Sequence, residues 1–322
     1  MTRLYVQHTI SNEVRVFEED TDYTHAGTIA LGEAWRPDSV VLSQDGATLY
    51  TNWKDMAYLS AKARTPSRSL FTAHDARTLD EQWRLPLEGA VEHFAAAPDK
   101  RYIYNAVSDR PWVIRVDVET QQADYAQITS VGGHKVRVSP DGARCYVGSI
   151  MTCELTELDA MSLERTRVQA FADYVRPFDL DADGRTAYVQ LSRLHGFVVF
   201  DLDSWSIRET IALPELPAET PVEERFPFTV DHGAEVTKDG RQLLLLATTG
   251  DHMVACDLPS LDVRGTVALG TEPSYLTLNP TGDRVYVTNR VSGNVQVVDL
   301  ASLEVIGDFS TGGRRPQRIC VG

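Results

Sequence analysis

The sequence predicts an all-β protein, a seven-bladed β-propeller built from four-stranded antiparallel blades. Three observations indicate this fold: a repeated turn, a repeated tyrosine, and chain ends that complement one another. The turns are Gln44–Gly46, Pro98–Lys100, Pro140–Gly142, Ala182–Gly184, Lys238–Gly240 and Pro280–Gly282. They follow one another at intervals of 54, 42, 42, 56 and 42 residues. A period near 42 residues, with strand-like patterning inside each unit, is typical of propeller blades.

The repeated tyrosine lies in the strand that follows each turn. Five residues after the central residue of the turns, the chain has Tyr50, Tyr104, Tyr146, Tyr188, Leu244 and Tyr286. An inner strand such as Ser39–Ser43 precedes the turn, and the tyrosine belongs to the second strand. The third strand ends in a turn such as Asp299–Ser302, whose Asp and Ser side chains cap the reversing backbone. An outer strand such as Ser206–Ile211 completes each blade.

The two chain ends are predicted to form the seventh blade together. Arg315–Val321 has the pattern of an inner strand that stops before its turn, whereas Leu4–His8 and Asn12–Phe17 read as second and third strands. Pairing the C-terminal inner strand with the N-terminal strands closes the ring and leaves no exposed sheet edge. The sequence therefore predicts a single propeller domain over residues 1–322.

Both long insertions of the chain are predicted to lie on one face of the propeller, which we call the embellished face. The two long units carry their extra residues at about 53–68 and about 214–228, and propeller connectivity places both insertions on the same face. Long loops in a compact fold are usually functional or disordered, so two on one face favour a pocket wall or lid. Six of the eight histidines fall on this face: His8, His93, His134, His195, His232 and His252. We therefore expect a functional site at this end of the central channel.

A short motif in the last full unit carries a family resemblance. Tyr286–Asn289 reads Tyr-Val-Thr-Asn and resembles the motif that names the YVTN family of β-propeller repeats. Looser versions are Tyr50–Asn52, Tyr146–Gly148 and Tyr188–Gln190. The resemblance covers almost the whole chain and implies the fold. Because that family and its structural relatives include surface-layer proteins, amine dehydrogenase subunits, lactonases and lyases, it implies no single activity.

Composition narrows the possible partners and compartment. A formal net charge of −15 with a pI near 4.9 argues against general binding to nucleic acids or anionic membranes. No apolar run has the length of a membrane span, and Met1–Val6 enters a strand pattern without the apolar segment of a signal peptide. The four cysteines lack the spacing of a metal finger or a disulfide framework. We expect a reduced, cytoplasmic protein.

Arginines on the embellished face predict an anionic small-molecule substrate. The planar guanidinium group binds carboxylates and phosphates through paired, charge-assisted hydrogen bonds. The residues predicted to bind substrate are Arg36, Arg176, Arg193, Arg290, Arg315, Trp53 and Lys54. The alternative is structural: Arg36, Arg176 and Arg315 would then simply pair with Asp38, Asp173 or Glu272 between blades.

Acid/base chemistry is one function that these side chains fit. His134, His232 and His195 are the predicted proton carriers, with Tyr275 as a phenolic donor and arginines as anion holders. Such a set suits a lyase, an isomerase or a lactone hydrolase, in which a histidine moves a proton while cations stabilise an enolate or carboxylate.

Two other functions remain open at this point. His93, His134 and His232 occupy nearly the same place in their blades, so together with Glu92 they are candidate ligands for a divalent transition metal. No other cofactor is predicted, because the chain lacks a phosphate-binding glycine loop and a haem-attachment motif. The third possibility is a non-catalytic propeller that binds a ligand, or a protein partner through the loop at 214–228.

Overall fold

The computed structural model describes residues 2–59, 66–129, 131–214 and 229–322. In these ranges the chain forms 28 β-strands arranged as seven four-stranded antiparallel sheets. Single-turn 3-10 helices cover Glu19–Thr21, Met56–Leu59 and Thr248–Gly250. No helix in the described ranges is long and apolar enough to cross a membrane. The predicted seven-bladed, all-β architecture is confirmed.

Each sheet is one blade, and we number the blades 1 to 7. The first three strands are β1 (Arg3–His8), β2 (Glu13–Glu18) and β3 (Thr24–Ile29). Blade 1 contains β4 (Trp35–Leu42), β5 (Thr48–Asp55), β6 (Arg68–Asp75) and β7 (Glu81–Glu88). Blade 2 contains β8 (Val91–Ala96), β9 (Tyr102–Val107), β10 (Trp112–Asp117) and β11 (Gln122–Gln127). Blade 3 contains β12 (Gly133–Val138), β13 (Arg144–Ser149), β14 (Glu154–Asp159) and β15 (Arg165–Ala170). Blade 4 contains β16 (Val175–Leu180), β17 (Thr186–Leu191), β18 (Gly196–Asp201) and β19 (Ser206–Ala212). Blade 5 contains β20 (Ala234–Val236), β21 (Gln242–Ala247), β22 (His252–Asp257) and β23 (Val263–Ala268). Blade 6 contains β24 (Pro273–Leu278), β25 (Arg284–Asn289), β26 (Asn294–Asp299) and β27 (Glu304–Ser310). The last strand, β28 (Pro316–Val321), joins β1–β3 to make blade 7.

The ring closes through hydrogen bonds between the two chain ends. Strand β28 pairs antiparallel with β1, with Leu4 opposite Val321 and Tyr5 opposite Cys320. Strand β1 also pairs with β2 on its other side, so it occupies the second position of the blade. This is the predicted closure, and the structure confirms it.

Tyrosines in the second strands of blades 2 and 7 form hydrogen bonds to a neighbouring blade. The Tyr104 hydroxyl of blade 2 donates to the carbonyl oxygen of Ala160 in blade 3, at 2.8 Å. In the same way, Tyr5 of blade 7 donates to the carbonyl of Ala76 in blade 1, also at 2.8 Å. Because each phenol is otherwise buried among apolar side chains, this single polar contact satisfies its hydroxyl.

The apolar core lies between the blades, since both faces of each sheet are covered. One cluster joins Tyr146 and Leu155 of blade 3 to Val175, Phe178 and Phe200 of blade 4. Each such buried side chain stabilises the fold by about 1.5–3 kcal/mol relative to an exposed one. The interior is therefore divided into similar layers that hold the inner strands at a fixed separation around the ring.

A β-bulge recurs near the start of the inner strands. In blade 1, Pro37 faces Trp53 and Ser39 faces Asn52, so Asp38 has no partner across the ladder. The same irregularity occurs in blades 2, 3, 4 and 6. The residues that it leaves outside the pairing include Asp38, His93, His134, Arg176 and Ser274. Bulges redirect side chains, and here they leave polar residues near the centre of the ring without a partner in the strand pairing.

The first predicted insertion begins later than expected. Trp53, Lys54 and Asp55 extend strand β5 and pair with β4 and β6, and a helical turn at Met56–Leu59 follows. Residues 60–65 of this insertion lie outside the described residues. The second predicted insertion, at 214–228, also lies outside them apart from Pro214.

Candidate functional site

Aromatic side chains from four blades meet at the centre of the ring. His93 comes from β8, His134 from β12, His232 from the segment before β20, and Tyr275 from β24. The ring centroids of His93 and His134 are 4.0 Å apart, and those of His134 and His232 are 5.7 Å apart. Tyr275 lies 5.2 Å from His232 and 5.4 Å from His93, which completes the circle. The structure therefore brings together these four residues, all of which the sequence analysis singled out.

A chain of hydrogen bonds links the closing strand to this cluster. Arg318, on β28, donates from Nη2 to the Tyr275 hydroxyl at 2.6 Å. That hydroxyl lies 2.8 Å from Nε2 and 2.9 Å from Nδ1 of His93. Since the guanidinium group can only donate, the tyrosine oxygen accepts from Arg318 and its own proton is directed to His93. Burial raises the pKa of Tyr275, so the side chain stays a neutral phenol.

The three central histidines are uncharged at neutral pH. Burial is the main cause that holds the pKa of each well below its ordinary value. Nearby positive charges act in the same direction, chiefly Arg318 on His93 and Arg176 on His232. His232 also has a defined tautomer, because Nδ1 lies 3.0 Å from the Ser274 carbonyl oxygen and must donate to it. Its Nε2 therefore carries the free lone pair.

Positive charge surrounds the cluster. The buried Arg176 donates from Nε to the Ser192 hydroxyl at 2.7 Å. Burial lowers the pKa of Arg176 to about 10, which leaves the guanidinium group charged at neutral pH. Arg318 lies with its guanidinium carbon 4.2 Å from the centroid of the Tyr275 ring. These groups make the centre of the ring suited to an anion.

Lys54 forms a buried ion pair beside His93. Its ammonium nitrogen lies 3.2 Å from Asp38 Oδ1 and 2.7 Å from Glu92 Oε1. Although burial opposes the charge, the two carboxylates raise the pKa of Lys54. The side chain has no exposed surface, so it holds the two carboxylates rather than offering itself to a ligand. Its predicted role in substrate binding has no support in this packing.

Two of the predicted metal ligands, Glu92 and His93, lie together with Asp38. Asp38, Glu92 and His93 each place a ligand atom within 4.8 Å of the others. Within the described part of the chain, the set of three histidines does not reach this mutual distance. Two of these histidines have other partners, since His93 faces the Tyr275 hydroxyl and His232 Nδ1 donates to the Ser274 carbonyl, whereas His134 Nδ1 has no hydrogen-bond partner among the described residues. The carboxylates are oriented toward the Lys54 ammonium group, which takes the place that a cation would need.

His195 lies apart from the central cluster and is paired differently. Its Nδ1 is 3.1 Å from Oδ1 of the buried Asp231, and its Nε2 is 2.8 Å from the Pro214 carbonyl oxygen. Both partners are acceptors, so both ring nitrogens carry protons. Despite burial, the hydrogen bond and charge of Asp231 raise the pKa of His195. In the contacts between described residues, its ring neighbour is His252, at 6.4 Å.

Three of the predicted arginines are paired with carboxylates. Arg290 and Arg315 lie 3.2 Å and 3.5 Å from Glu272 Oε1, and the three residues border a cavity of about 400 Å³ at the surface. Arg193 is exposed and lies 3.2 Å from Asp173. For Arg315, the ion pair that the sequence raised as a structural alternative is therefore observed, and Arg193 and Arg290 form ion pairs as well.

The last two predicted residues belong to blade 1. Arg36 is half-buried on β4, and its Nε has no hydrogen-bond partner among the residues that the structure describes. Trp53 is completely buried in the core between blades 7 and 1, where Nε1 donates to the Thr72 hydroxyl at 3.0 Å. Trp53 therefore offers no surface to a ligand, because β5 runs longer than the sequence suggested.

Sequence reasoning did not assign roles to three important side chains. Arg318, Asp38 and Lys135 all lie near the start of an inner strand, as the central histidines do. That shared position is the feature of the sequence from which their place near the central histidines could have been predicted. Their contacts with residues from other blades could not be read from the repeat, because the repeat fixes position within a blade and not distances across the ring.

Comparison with known proteins supports the fold. No protein-family model and no curated protein sequence matches the chain, so membership of the YVTN family is not shown. A structure of the periplasmic gluconolactonase of Pseudomonas aeruginosa matches with a TM-score of 0.74 and 20% identity, over 99% of this chain and 98% of that chain. A putative 6-phosphogluconolactonase of Bacteroides fragilis matches with a TM-score of 0.73 and 16% identity, over 100% and 97%. The dihydro-heme d1 dehydrogenase NirN in complex with DHE matches with a TM-score of 0.62 and 15% identity, over 96% of this chain and 64% of that chain. This chain is thus similar in fold to 6-phosphogluconolactonase-like propellers.

Proposed function

We propose that this protein is an enzyme that hydrolyses a small anionic lactone at the centre of its ring. The observation that carries the proposal is His232, a neutral imidazole with a fixed tautomer that stands beside the Tyr275 and Arg318 donors. The likeness over nearly full length to two gluconolactonase structures supports the choice of a lactone among the acid/base reactions that such a cluster allows.

His232 is the proposed general base. Its Nδ1 is committed to the Ser274 carbonyl, so Nε2 is free to take a proton from water. The water oxygen then attacks the acyl carbon of the lactone and a tetrahedral oxyanion forms. A neutral imidazole is required for this step, and burial supplies it by lowering the pKa of His232.

Tyr275 and Arg318 are the proposed stabilisers of the oxyanion. The phenol proton, which is directed to His93 in this structure, turns to the oxyanion when it forms, and the adjacent Arg318 guanidinium group adds positive charge in a buried setting where such charge acts strongly. When the tetrahedral intermediate collapses, the ring C–O bond breaks and the leaving oxygen takes the proton from His232. The product is the open hydroxy acid, and His232 returns to its neutral form.

The expected substrate carries a negative charge in addition to the lactone ring. Arg176 and Arg318 are buried, and both stay charged at neutral pH. Arg318 is hydrogen-bonded to a phenol rather than directly to a carboxylate. A phosphate or carboxylate on the substrate would accept paired hydrogen bonds from these guanidinium groups and neutralise their charge.

The direct test compares glucono-1,5-lactone with its 6-phospho derivative at neutral pH. Acid release is followed with a pH indicator, and spontaneous ring opening is subtracted. We expect hydrolysis above background, with the larger kcat/KM for the phosphorylated lactone. His232→Gln should lower kcat by about 10²- to 10⁴-fold, the range for loss of a general base. The control is His25→Gln, since His25 is exposed on the outer strand β3 and should leave the rate unchanged.

Each result bears on a different part of the proposal. Wild-type protein that is no faster than background on either lactone would exclude these lactones as substrates. Equal rates for both lactones would remove the anionic requirement but not the hydrolysis. Retention of wild-type kcat in the His232 variant would show that another group acts as the base. Product mass separates hydrolysis, which adds one water, from the lyase and isomerase reactions that the same groups could perform.

A further inference from the structure

Lys135 is an unusual member of a very small set of lysines. The chain has five, Lys54, Lys62, Lys100, Lys135 and Lys238, against 26 arginines. Lys135 lies on β12 next to His134, and only 5% of it is exposed. Its amine reaches toward Tyr275 of blade 6, 5.8 Å from the ring centroid, so the side chain extends across the ring interior.

The carboxylates nearest to Lys135 are bound by another cation. Arg137 lies two residues further along the same strand, and its guanidinium nitrogens are 2.6 Å from Asp179 Oδ1 and 3.1 Å from Glu235 Oε2. The Lys135 amine forms no ion pair or hydrogen bond with any residue that the structure describes, and its contact is with the Tyr275 ring. Lys54 shows the contrast, because it is equally buried but is held between two carboxylates.

An ammonium group without a partner is costly to bury, so the neutral amine is favoured at this position. Burial, followed by the positive charges of Arg137 and Arg318, holds the pKa of Lys135 well below its ordinary value. A desolvated lysine next to other cations is a recognised way to obtain a nucleophilic amine near neutral pH. Geometry and electrostatics therefore agree on the state of this side chain.

We propose that Lys135 is a reactive amine that forms an imine with small 2-oxo acids entering the ring. The two parts of such a ligand match the two features of the site. Its carbonyl carbon is the electrophile that an amine attacks, and its carboxylate suits the surrounding guanidinium groups of Arg318 and Arg176. This reactivity goes beyond lactone hydrolysis and does not depend on it.

The reaction balances without an oxidant or a reductant. The Lys135 nitrogen adds to the carbonyl carbon, and a proton moves from nitrogen to the former carbonyl oxygen to give a carbinolamine. That hydroxyl then takes a second proton from a neighbouring donor and leaves as water while the nitrogen lone pair forms the C=N bond. The resulting protonated imine returns its N–H proton to that donor, so the net change is loss of one water. Tyr275, whose ring centroid lies 5.8 Å from the amine and whose hydroxyl is hydrogen-bonded to His93, is the group that we assign to pass these protons.

Borohydride trapping tests the proposal on the full-length wild-type protein. The protein is incubated with pyruvate near pH 7, sodium borohydride is added, and the product is analysed by intact mass and peptide mapping. We expect one adduct per chain, on Lys135, at a level at least about ten-fold above that on Lys100 or Lys238. A ten-fold excess corresponds to one unit of difference in amine pKa.

Variants and an internal comparison make the result decisive. Lys135→Met should lose the adduct, whereas Lys238→Arg, a change at a surface lysine, should keep it. If the Lys135 variant does not fold, the ratio among lysines within the wild-type protein still answers the question. An adduct on Lys100 and Lys238 without one on Lys135, or no adduct at all, would overturn the proposal. Because the readout is mass, either result is independent of whether lactones are hydrolysed.

Discussion

Replacing Lys54 with methionine is expected to destabilise the protein strongly. Methionine preserves most of the volume but leaves Asp38 and Glu92 without the ammonium group between them. Removing one partner of a buried ion pair costs about 3–5 kcal/mol, because the remaining charge is uncompensated. The Glu92 side chain is 18% exposed and keeps some access to water, so we expect a value near about 3 kcal/mol.

The magnitude converts into a measurable shift of the melting temperature. For a chain larger than 150 residues, about 1 kcal/mol corresponds to about 2 °C, so Lys54→Met should lower Tm by about 6 °C. Differential scanning fluorimetry or near-UV circular dichroism gives this value, with Lys238→Met as the surface control. Adding Glu92→Gln to the variant removes a stranded charge and should restore at least half of the loss.

The pH dependence of this effect has a definite sign. The folded state raises the pKa of Lys54, so its contribution to stability is present below the ordinary pKa and is lost only as the pH rises through the folded value. The Tm difference between wild type and variant should therefore stay constant from about pH 7 to about pH 9. A shift below about 1 °C, or no recovery in the double variant, would refute the view that Lys54 neutralises these carboxylates.

Three further predictions concern other features. Tyr104→Phe removes the 2.8 Å hydrogen bond to the Ala160 carbonyl and should lower the free energy of unfolding, measured by urea denaturation, by about 1 kcal/mol. An unchanged free energy would mean that the second donor to this carbonyl, Arg115 at 3.1 Å, satisfies it without the tyrosine. The contribution of the three central histidines to stability should fall as the pH is lowered from about 7.5 to about 5.5, because their folded-state pKa values are lowered and at these side chains only the unfolded chain takes up protons below about 6.5. Over this range the Tm of His134→Gln should therefore change by less in the destabilising direction than the Tm of the wild type, and an identical pH slope would contradict this. Lys54→Met should bind added Zn²⁺ at Asp38, Glu92 and His93 at least about ten-fold more tightly than the wild type in calorimetric titration, because the ammonium group no longer competes for the carboxylates. Equal affinities would show that Lys54 does not exclude a metal.

The fold could be predicted because the same turn and strand patterns recur along the sequence. The Asp-Gly turns and the tyrosines that follow them recur in nearly every unit, and the turns have a local physical cause, since each makes a tight reversal, while Tyr104 shows that such a tyrosine can bond to the next blade. The closing pair β1–β28 could be predicted as well, because two incomplete strand patterns at the chain ends add up to one blade. Local sequence is sufficient wherever the structure repeats.

The site was predictable in location but not in detail. The position of His93, His134 and His232 within their units indicated that they converge, and their rings do lie together. The sequence could not show that Tyr275 and Arg318 would hydrogen-bond, since they lie on different strands of different blades. Nor could it show where β5 ends, and this is why Trp53 was expected at the site although it packs in the core.

The bond between Arg318 and Tyr275 lies at the seam of the ring. In blade 7 the junction of β28 with β1 is held by hydrogen bonds and packing, without the short turn that joins the strands of other blades. A ligand that engages Arg318 and Tyr275 together therefore binds the closed seam and not an opened one. By mass action, such a ligand slows amide hydrogen exchange in β28 by a factor set by its concentration over Kd. Protection of those few amides from exchange would report occupancy of the site. The rate at which the seam opens locally would set how long the site stays intact.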